Sequence, residues 1–314
     1  MSYHHIPVML NEVMQGLDPQ SGQFFVDGTL GGAGYTTNLS QAVGEKGKVL
    51  AIDLDDSAIK NAQKIIKERG IKNITLVQDN FRNLEKIVHQ NFNQFQVNGI
   101  VLDLGLSSAQ VDEAERGFSF LKTAPLSLAF AKNETEDAAY LVNNLSAKEL
   151  TDVIARYGED RFAFRIANAI VSARQEKPIR TTTELAEIVV AAVPGQFRRA
   201  KIHPATKTFQ ALRLAVNREL ESLELVLPQA VRLLAPGGRL AIVSFHSLED
   251  RIVKHFFKDQ IKTCVCPPET LICNCHHQPV VKLITKKAII PTAAEIKNNP
   301  RSRSAKLRII EKLK

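Results

Sequence analysis

The chain reads as an α/β protein: a mostly parallel sheet that ends in a C-terminal antiparallel hairpin, with a helical domain inserted into it. Three observations predict this class. Short apolar runs alternate with helical stretches between residues 24 and 104, the rhythm of strand–helix–strand units. The run Ile100-Val101-Leu102 is continuously apolar, which suits a strand buried on both faces of a parallel sheet. The pattern then stops near residue 113, gives way to a polar helical block, and resumes at Gly237–Phe245.

Taken in order, strands are expected at 24–26, 49–52, 74–77 and 99–104, with helices near 36–43 and 56–69. Residues 113–206 form the insert, with helical stretches from Thr151 to Ala173 and from Thr181 to Val193. The main domain is therefore discontinuous, 1–112 and 207–314. A helix over 208–227 leads back to the sheet, because Phe209, Leu212, Val216, Leu220, Leu223 and Leu227 recur three or four apart and so share a face. Gln210, Arg213 and Asn217 form a polar stripe beside them, read first as a surface face. At the close, 280–290 and 304–313 alternate apolar and basic residues and suit two strands joined around Asn299-Pro300.

At 314 residues, 44% hydrophobic and 24% charged, the chain can bury a core without covalent staples. It contains no apolar run of membrane-spanning length, and its start lacks a basic-then-apolar leader, so a cytoplasmic location with no membrane partner is expected. Net charge is +8, and residues 276–314 hold ten Lys/Arg against two acids, a local excess equal to that of the whole chain. Such a tail is the footprint of a polyanion partner; lysines guarding an edge strand give the same pattern. A homodimer is left open.

The segment Asp27-Gly28-Thr29-Leu30-Gly31-Gly32-Ala33-Gly34 follows the first strand, and Asp53 ends the second. Glycines let a ligand approach the backbone at a strand's carboxyl end, and a later carboxylate can accept from ribose hydroxyls. An acid beside the turn favours a cationic or neutral nucleoside over pyrophosphate; S-adenosylmethionine, a sulfonium without phosphate, fits. Asp79-Asn80-Phe81 follows the third strand, where a ring can stack on a base, although Phe81 also suits the core. Asp103 ends the fourth strand, with Gln110 on the loop beyond. A carboxylate there can accept N–H bonds from an exocyclic amine and make it more nucleophilic, or orient the cofactor's ammonium. Ser244-Phe245-His246-Ser247-Leu248-Glu249-Asp250-Arg251 closes the fifth strand. Ser247 with Asp250 resembles a capping box, which leaves His246 and Arg251 as candidate substrate contacts, His246 also as a candidate catalytic group. Cys264, Cys266, Cys273 and Cys275 lie in one segment. They are read first as reduced loop thiols with no metal, and structural zinc is the alternative, C-x2-C being the commoner zinc spacing.

Longer stretches resemble one family in order along the whole chain. They are His5–Val13, D-G-T-L-G-G-A-G at 27–34, V-L-D-L-G-L-S-S-A-Q at 101–110, E-R-G-F-S-F at 115–120, Y-G-E-D-R-F at 157–162, H-P-A-T-K-T-F-Q-A-L-R at 203–213, S-F-H-S-L-E-D-R-I-V-K at 244–254 and N-P-R-S-R-S-A-K-L-R at 299–308. Their wording is similar to that of the bacterial small-subunit (16S) rRNA cytosine-N4 methyltransferases. The resemblance implies a class I, Rossmann-like methyltransferase fold, S-adenosylmethionine as cofactor, and a decoding-region cytidine of 16S rRNA in the small ribosomal subunit as acceptor. It puts cofactor contacts on Ala33, Gly34, Tyr35, Asp53, Phe81, Asp103 and Gln110. Substrate contacts would fall on Arg116, His203, Arg213, Asn217 and Arg251 and, in the basic tail, on Arg301 and Arg303.

The chain departs from the family in two places. Ala33-Gly34-Tyr35 stands where Gly-Gly-His is usual. In 123–131, Ser127 and Ala129 replace an acid and an arginine expected near the substrate. Two rival readings follow: a family member weakened in turnover that still binds the ribosomal subunit, and a methyltransferase for a small molecule or protein.

Overall fold

The computed structural model describes residues 7–93, 96–106, 114–131, 135–198, 202–267, 269–270 and 272–314. Seven strands form one sheet: β1 (Phe24–Asp27), β2 (Lys48–Asp53), β3 (Ile74–Gln78), β4 (Val97–Asp103), β5 (Leu234–Ser244), β6 (Val281–Leu283) and β7 (Lys306–Lys312). Their order is β3-β2-β1-β4-β5-β7-β6. The first five pair in parallel and β7 runs antiparallel between β5 and β6. This is the class I methyltransferase arrangement. The order reverses between β1 and β4, and in such sheets the crevice at the switch point, beyond the strands' carboxyl ends, is where ligands bind. The connection between β6 and β7 is longer than a turn, holding the helix Ala293–Asn298 and a 3-10 turn over Pro300–Ser304.

The central strands are apolar throughout because both faces are covered. Phe24, Val26, Leu50, Ile52, Ile100 and Leu102 pack in one cluster with the helices Leu84–Phe92 and Glu219–Leu233, while Phe25, Val49, Val101 and Val243 pack in another with Val13, Leu17 and Leu39. The helix Asp56–Arg69 begins on Asp55, whose side chain accepts from Ser57 N, and ends on Gly70 at φ 63°, the left-handed stop that glycine takes without strain.

Contacts divide the chain into two units, Met1–Gly105 with Glu221–Lys314, and Leu106–Leu220. The second unit thus extends beyond the expected 113–206 at both ends. Its core gathers Leu126, Leu128, Leu150, Ile154, Ile166, Ile170, Leu185, Val189, Phe209 and Leu212. The helix expected from Thr151 to Ala173 is two, Ala147–Gly158 and Ala163–Glu176, parted where Glu159 turns left-handed. The expected 208–227 helix is also two, Ala205–Val216 and Glu219–Leu233. The apolar stripe hides the break because it continues in phase across Asn217 and Arg218. Arg218 adopts φ 47°, and the Asn217 side chain is bonded to a distant loop.

Gly117 is the most constrained glycine of the second unit. Its φ is +73°, and an added Cβ would lie 2.3 Å from the Pro125 carbonyl oxygen, a backbone atom that cannot swing away. Gly117→Ala is expected to destabilise the second unit by about 2–4 kcal/mol. Thermal unfolding followed by limited proteolysis within 106–220 checks this; an unchanged melting curve would contradict it.

Candidate functional site

Three adjacent strands, β2, β1 and β4, each end on an aspartate: Asp53, Asp27 and Asp103. Asp27 is fully buried. Its carboxylate accepts from Thr36 Oγ1 at 2.6 Å and from Thr29 N at 3.1 Å. Burial pushes its pKa up to about 6 against these hydrogen bonds, which pull it down. Asp53 is half-buried. One of its oxygens accepts from Gly31 N at 2.8 Å and the other from Asp55 N at 2.8 Å, so the group is held by backbone, and burial lifts it too to about 6. Asp103 differs from both. Among the described residues its Oδ1 is buried with no hydrogen-bond partner, and burial, then the charges of Asp27 and Glu249, hold its pKa well above the usual range. A buried carboxylate oxygen without a donor is costly unless a ligand brings the donor.

The glycine turn ties these strands together. Gly28 N donates to Val101 O on β4 at 3.0 Å and Leu30 N to Ile52 O on β2 at 2.9 Å. The Thr29 hydroxyl accepts from Asp103 N at 2.6 Å, a link across the switch point. Ala33 takes a left-handed φ of 63° as cap of the helix Gly34–Val43. Tyr35 is buried in the cluster that holds Val8, Met9 and Leu39, and its hydroxyl donates to Val8 O.

Phe81 begins the 3-10 turn after β3. Its Cβ lies 3.7 Å from where a Gly28 side chain would start, so it stands over the glycine turn while packing partly against the core. Asn80 caps that turn by accepting from Arg82 N, and Asp79 accepts from Asn80 N and Asn83 Nδ2. Gln110 lies outside the described residues.

After β5 the capping box is His246 with Glu249, correcting the expected pairing of Ser247 with Asp250. His246 Nδ1 accepts from Glu249 N at 3.4 Å, and the Glu249 carboxylate accepts from His246 N and from Phe245 N. His246 Nε2 lies 3.0 Å from Glu249 Oε1. The imidazole is thus tied to the helix it starts through Nδ1, while Nε2, close to Glu249 Oε1, is buried without a hydrogen-bond partner among the described residues. Asp250 instead takes Lys306 and Arg308, at 3.0 and 2.7 Å. Arg251 is exposed. Glu249 is the acid that sequence reasoning left without a role; its signal was the His-x-x-Glu spacing at the strand's end.

In the second unit, the expected substrate residues have partners of their own. Arg213 makes a two-pronged pair with Glu219 at 2.8 and 3.0 Å. Asn217 accepts from Phe130 N at 2.7 Å and donates to Leu128 O and Arg213 O. Arg116 donates to Phe130 O. Together they pin the 128–130 stretch, where Leu128 is left-handed and Ala129 is buried. His203 stacks on Phe120 with ring centroids 4.8 Å apart, and its Nδ1 accepts from Ala205 N.

The basic tail is partly neutralised within the sheet: Lys282 and Arg239 share Glu311, and Lys306 and Arg308 share Asp250. Lys286, Lys287, Lys297, Arg301 and Arg303 remain exposed. Among the described residues, no helix is long and apolar enough to cross a membrane.

The family model described as the MraW methylase family matches residues 2–313. The chain is 44% identical over 313 residues to a protein of Heliobacterium mobile named ribosomal RNA small subunit methyltransferase H, with all of both chains covered. Its namesake in Halothermothrix orenii is 45% identical, with 98% of each chain covered. One from Dehalococcoides mccartyi is 47% identical, covering 100% of this chain and 88% of its own.

Proposed function

The chain belongs to the MraW methylase family, and on that premise we propose that it transfers a methyl group from S-adenosylmethionine to the N4 amine of a cytidine in the decoding region of 16S rRNA. One observation carries this reading beyond kinship: the buried Oδ1 of Asp103 at the sheet's switch point, which has no hydrogen-bond partner among the described residues. It fits an N–H donor brought by a ligand, either the cofactor's ammonium or the target amine.

Asp53, oriented by two backbone N–H groups, keeps lone pairs for the two ribose hydroxyls. Phe81 beside Gly28 offers a face for the adenine, and the 33–35 backbone is assigned to the methionine end. When bound, the cofactor supplies a methyl already activated on a sulfonium, so the protein needs mainly to align, exclude water and tune the amine. The lone pair of a cytosine amine is delocalised into its ring. An N–H bond accepted by Asp103 draws that lone pair back to nitrogen. Methylation leaves the nitrogen with one proton to lose, and Asp103, with its pKa held up by burial, can take it. The base must leave its stack to arrive, at roughly a few kcal/mol, offset by RNA contacts from the second unit and the tail. The protein acts in the cytoplasm, where ribosomal subunits are found.

Tritium transfer from labelled cofactor to naked 16S rRNA and to small subunits tests the reading; no incorporation in either would end it. A member that only binds the subunit predicts no missing methyl group in rRNA from cells lacking the gene, and a small-molecule or protein enzyme predicts no competition by RNA. Replacing Lys286, Lys287 and Arg303 together by glutamine should weaken RNA binding and flatten its log–log salt slope by roughly 2–3, at about 0.7–0.9 per phosphate contact. An unchanged slope would take these residues out of the interface.

A further inference from the structure

The segment that joins the helix Ser247–Gln260 to β6 leaves and returns at one point, where Val280 N donates to Gln260 O at 3.0 Å. Between these ends it has no core of its own: none of the described residues from 261 to 280 is buried, and Val265 and Ile272 are 56% and 82% exposed. Ordering about twenty residues without apolar burial is unfavourable, at roughly 1–2 kcal/mol of backbone entropy each. Something other than packing must hold the excursion.

The four cysteines are placed to do so. Cys264-Val265-Cys266 and Cys273-Asn274-Cys275 face each other, and all four sulfurs lie within 4.8 Å of one another. The separations are 3.9 Å for Cys266–Cys273, 3.5 Å for Cys273–Cys275 and 3.9 Å for Cys264–Cys275. A tetrahedral zinc site with Zn–S bonds of about 2.3 Å has an S···S edge of about 3.8 Å, which these values bracket. None of the four is in a disulfide. An iron–sulfur cluster would hold its thiolates further apart around several metal atoms. Backbone donors face the sulfurs as well: Val265 N at 3.5 Å from Cys275 Sγ and Cys266 N at 3.4 Å from Cys264 Sγ. Such N–H groups offset the charge of metal-bound thiolates. His276, just after the second pair, takes a left-handed φ of 48°, turning the chain back around the sulfurs. The uncommon C-x-C spacing put reduced thiols first from sequence alone; the convergence of all four sulfurs on one centre reverses that order.

We propose that Cys264, Cys266, Cys273 and Cys275 bind one zinc ion tetrahedrally, and that this ion staples the 261–280 excursion and fixes the entry of the chain into β6. Binding displaces the thiol protons, so it releases protons and strengthens as pH rises. The site lies away from the glycine turn in sequence and uses no residue assigned to methyl transfer, so it stands or falls separately from the proposed activity.

Full-length protein, purified under reducing conditions with any tag removed, should carry one zinc per chain by elemental analysis. The Cys273→Ser/Cys275→Ser variant should carry almost none. Chelator-stripped wild type titrated with cobalt(II) should saturate at one equivalent with the intense visible bands of a tetrahedral thiolate site, a readout that does not require the variant to fold. Tryptic cleavage within the loop should speed up on stripping and slow again on adding zinc. The proposal is overturned by substoichiometric zinc together with no saturable cobalt spectrum, by zinc retained in the double variant, or by one iron per chain in place of zinc.

Discussion

Asp103→Asn is expected to reduce methyl transfer by roughly 100-fold or more while raising the melting temperature of the ligand-free protein. The two effects share one cause. The Asp103 carboxylate is buried, flanked by the charges of Asp27 and Glu249, and its Oδ1 meets no donor among the described residues. Keeping this carboxyl in the fold therefore costs free energy at neutral pH, whether as an uncompensated charge or as a proton held above its ordinary pKa, and an amide of the same shape relieves that penalty. The backbone anchor survives, because it is Asp103 N that donates to the Thr29 hydroxyl. Activity depends on what the substitution removes. A charge-assisted hydrogen bond is worth about 1.5–3 kcal/mol, or roughly 10- to 100-fold in ligand affinity, and loss of a proton acceptor adds a further factor of about 100 or more. Calorimetry with cofactor and demethylated product, thermal melts without ligand and single-turnover transfer would be measured on one preparation. Asp103→Ala should likewise impair transfer far more than RNA binding. A lower melting temperature for Asp103→Asn, or equal losses of transfer and RNA affinity, would remove Asp103 from the role proposed.

Much of the catalytic unit was legible because its signals are local. A continuous apolar run marks a strand covered on both faces, and Asp27, Asp53 and Asp103 could be placed at one edge because each ends such a run. What stayed hidden depended on partners distant in sequence or on ties between adjacent alternatives. The segment His246–Asp250 contains two polar pairs three apart, offset by one residue, and only the point where β5 ends decides that His246 and Glu249 form the box. Arg213 and Asn217 look like a polar stripe free for RNA. Asn217 instead bonds to Leu128 and Phe130, almost ninety residues earlier, a relation no helical periodicity encodes. The lysines and arginines of the tail gave a correct count but not their allocation, since Asp250 and Glu311 take several of them within the sheet. Tyr35 shows the same limit from the other side: the motif locates the residue, but only the packing of α and β elements shows that its ring belongs to the core.

Asp27→Asn should stabilise the protein at neutral pH, with a gain that disappears on acidification. Asp27 is fully buried, and among the described residues no cation pairs with it; its hydrogen bonds come from Thr36 and Thr29. Its pKa rises from 3.8 to about 6 on folding. Between those values the folded chain holds a proton that the unfolded chain has released, so stability falls as pH rises through this window and the penalty is complete above it. At about 1.4 kcal/mol per unit, the penalty at pH 7.5 reaches about 3 kcal/mol as an upper bound. The amide variant would escape it, and the Thr36 hydroxyl can turn to accept where it now donates. Asp250 and Glu311 behave oppositely. Burial pushes their pKa values up, but Arg308 with Lys306, and Lys282 with Arg239, pull them below the ordinary value. Their stabilisation is therefore lost only as pH falls below the ordinary carboxylate range. Denaturant melts of wild type and the Asp27→Asn variant from pH 4.5 to 7.5 read the Asp27 contribution together with its charge coupling to Asp53 and Asp103, since histidine titrations are common to the pair and cancel. A gap independent of pH would refute the assignment. The same variant probes function, because the Asp27 charge, after burial, helps hold up the pKa of Asp103. Without it Asp103 becomes a weaker base, and the acid limb of the transfer rate should move to lower pH as stability increases. A strand-end carboxylate that destabilises the fold while strengthening its neighbour as a proton acceptor is what a stability–activity trade-off predicts.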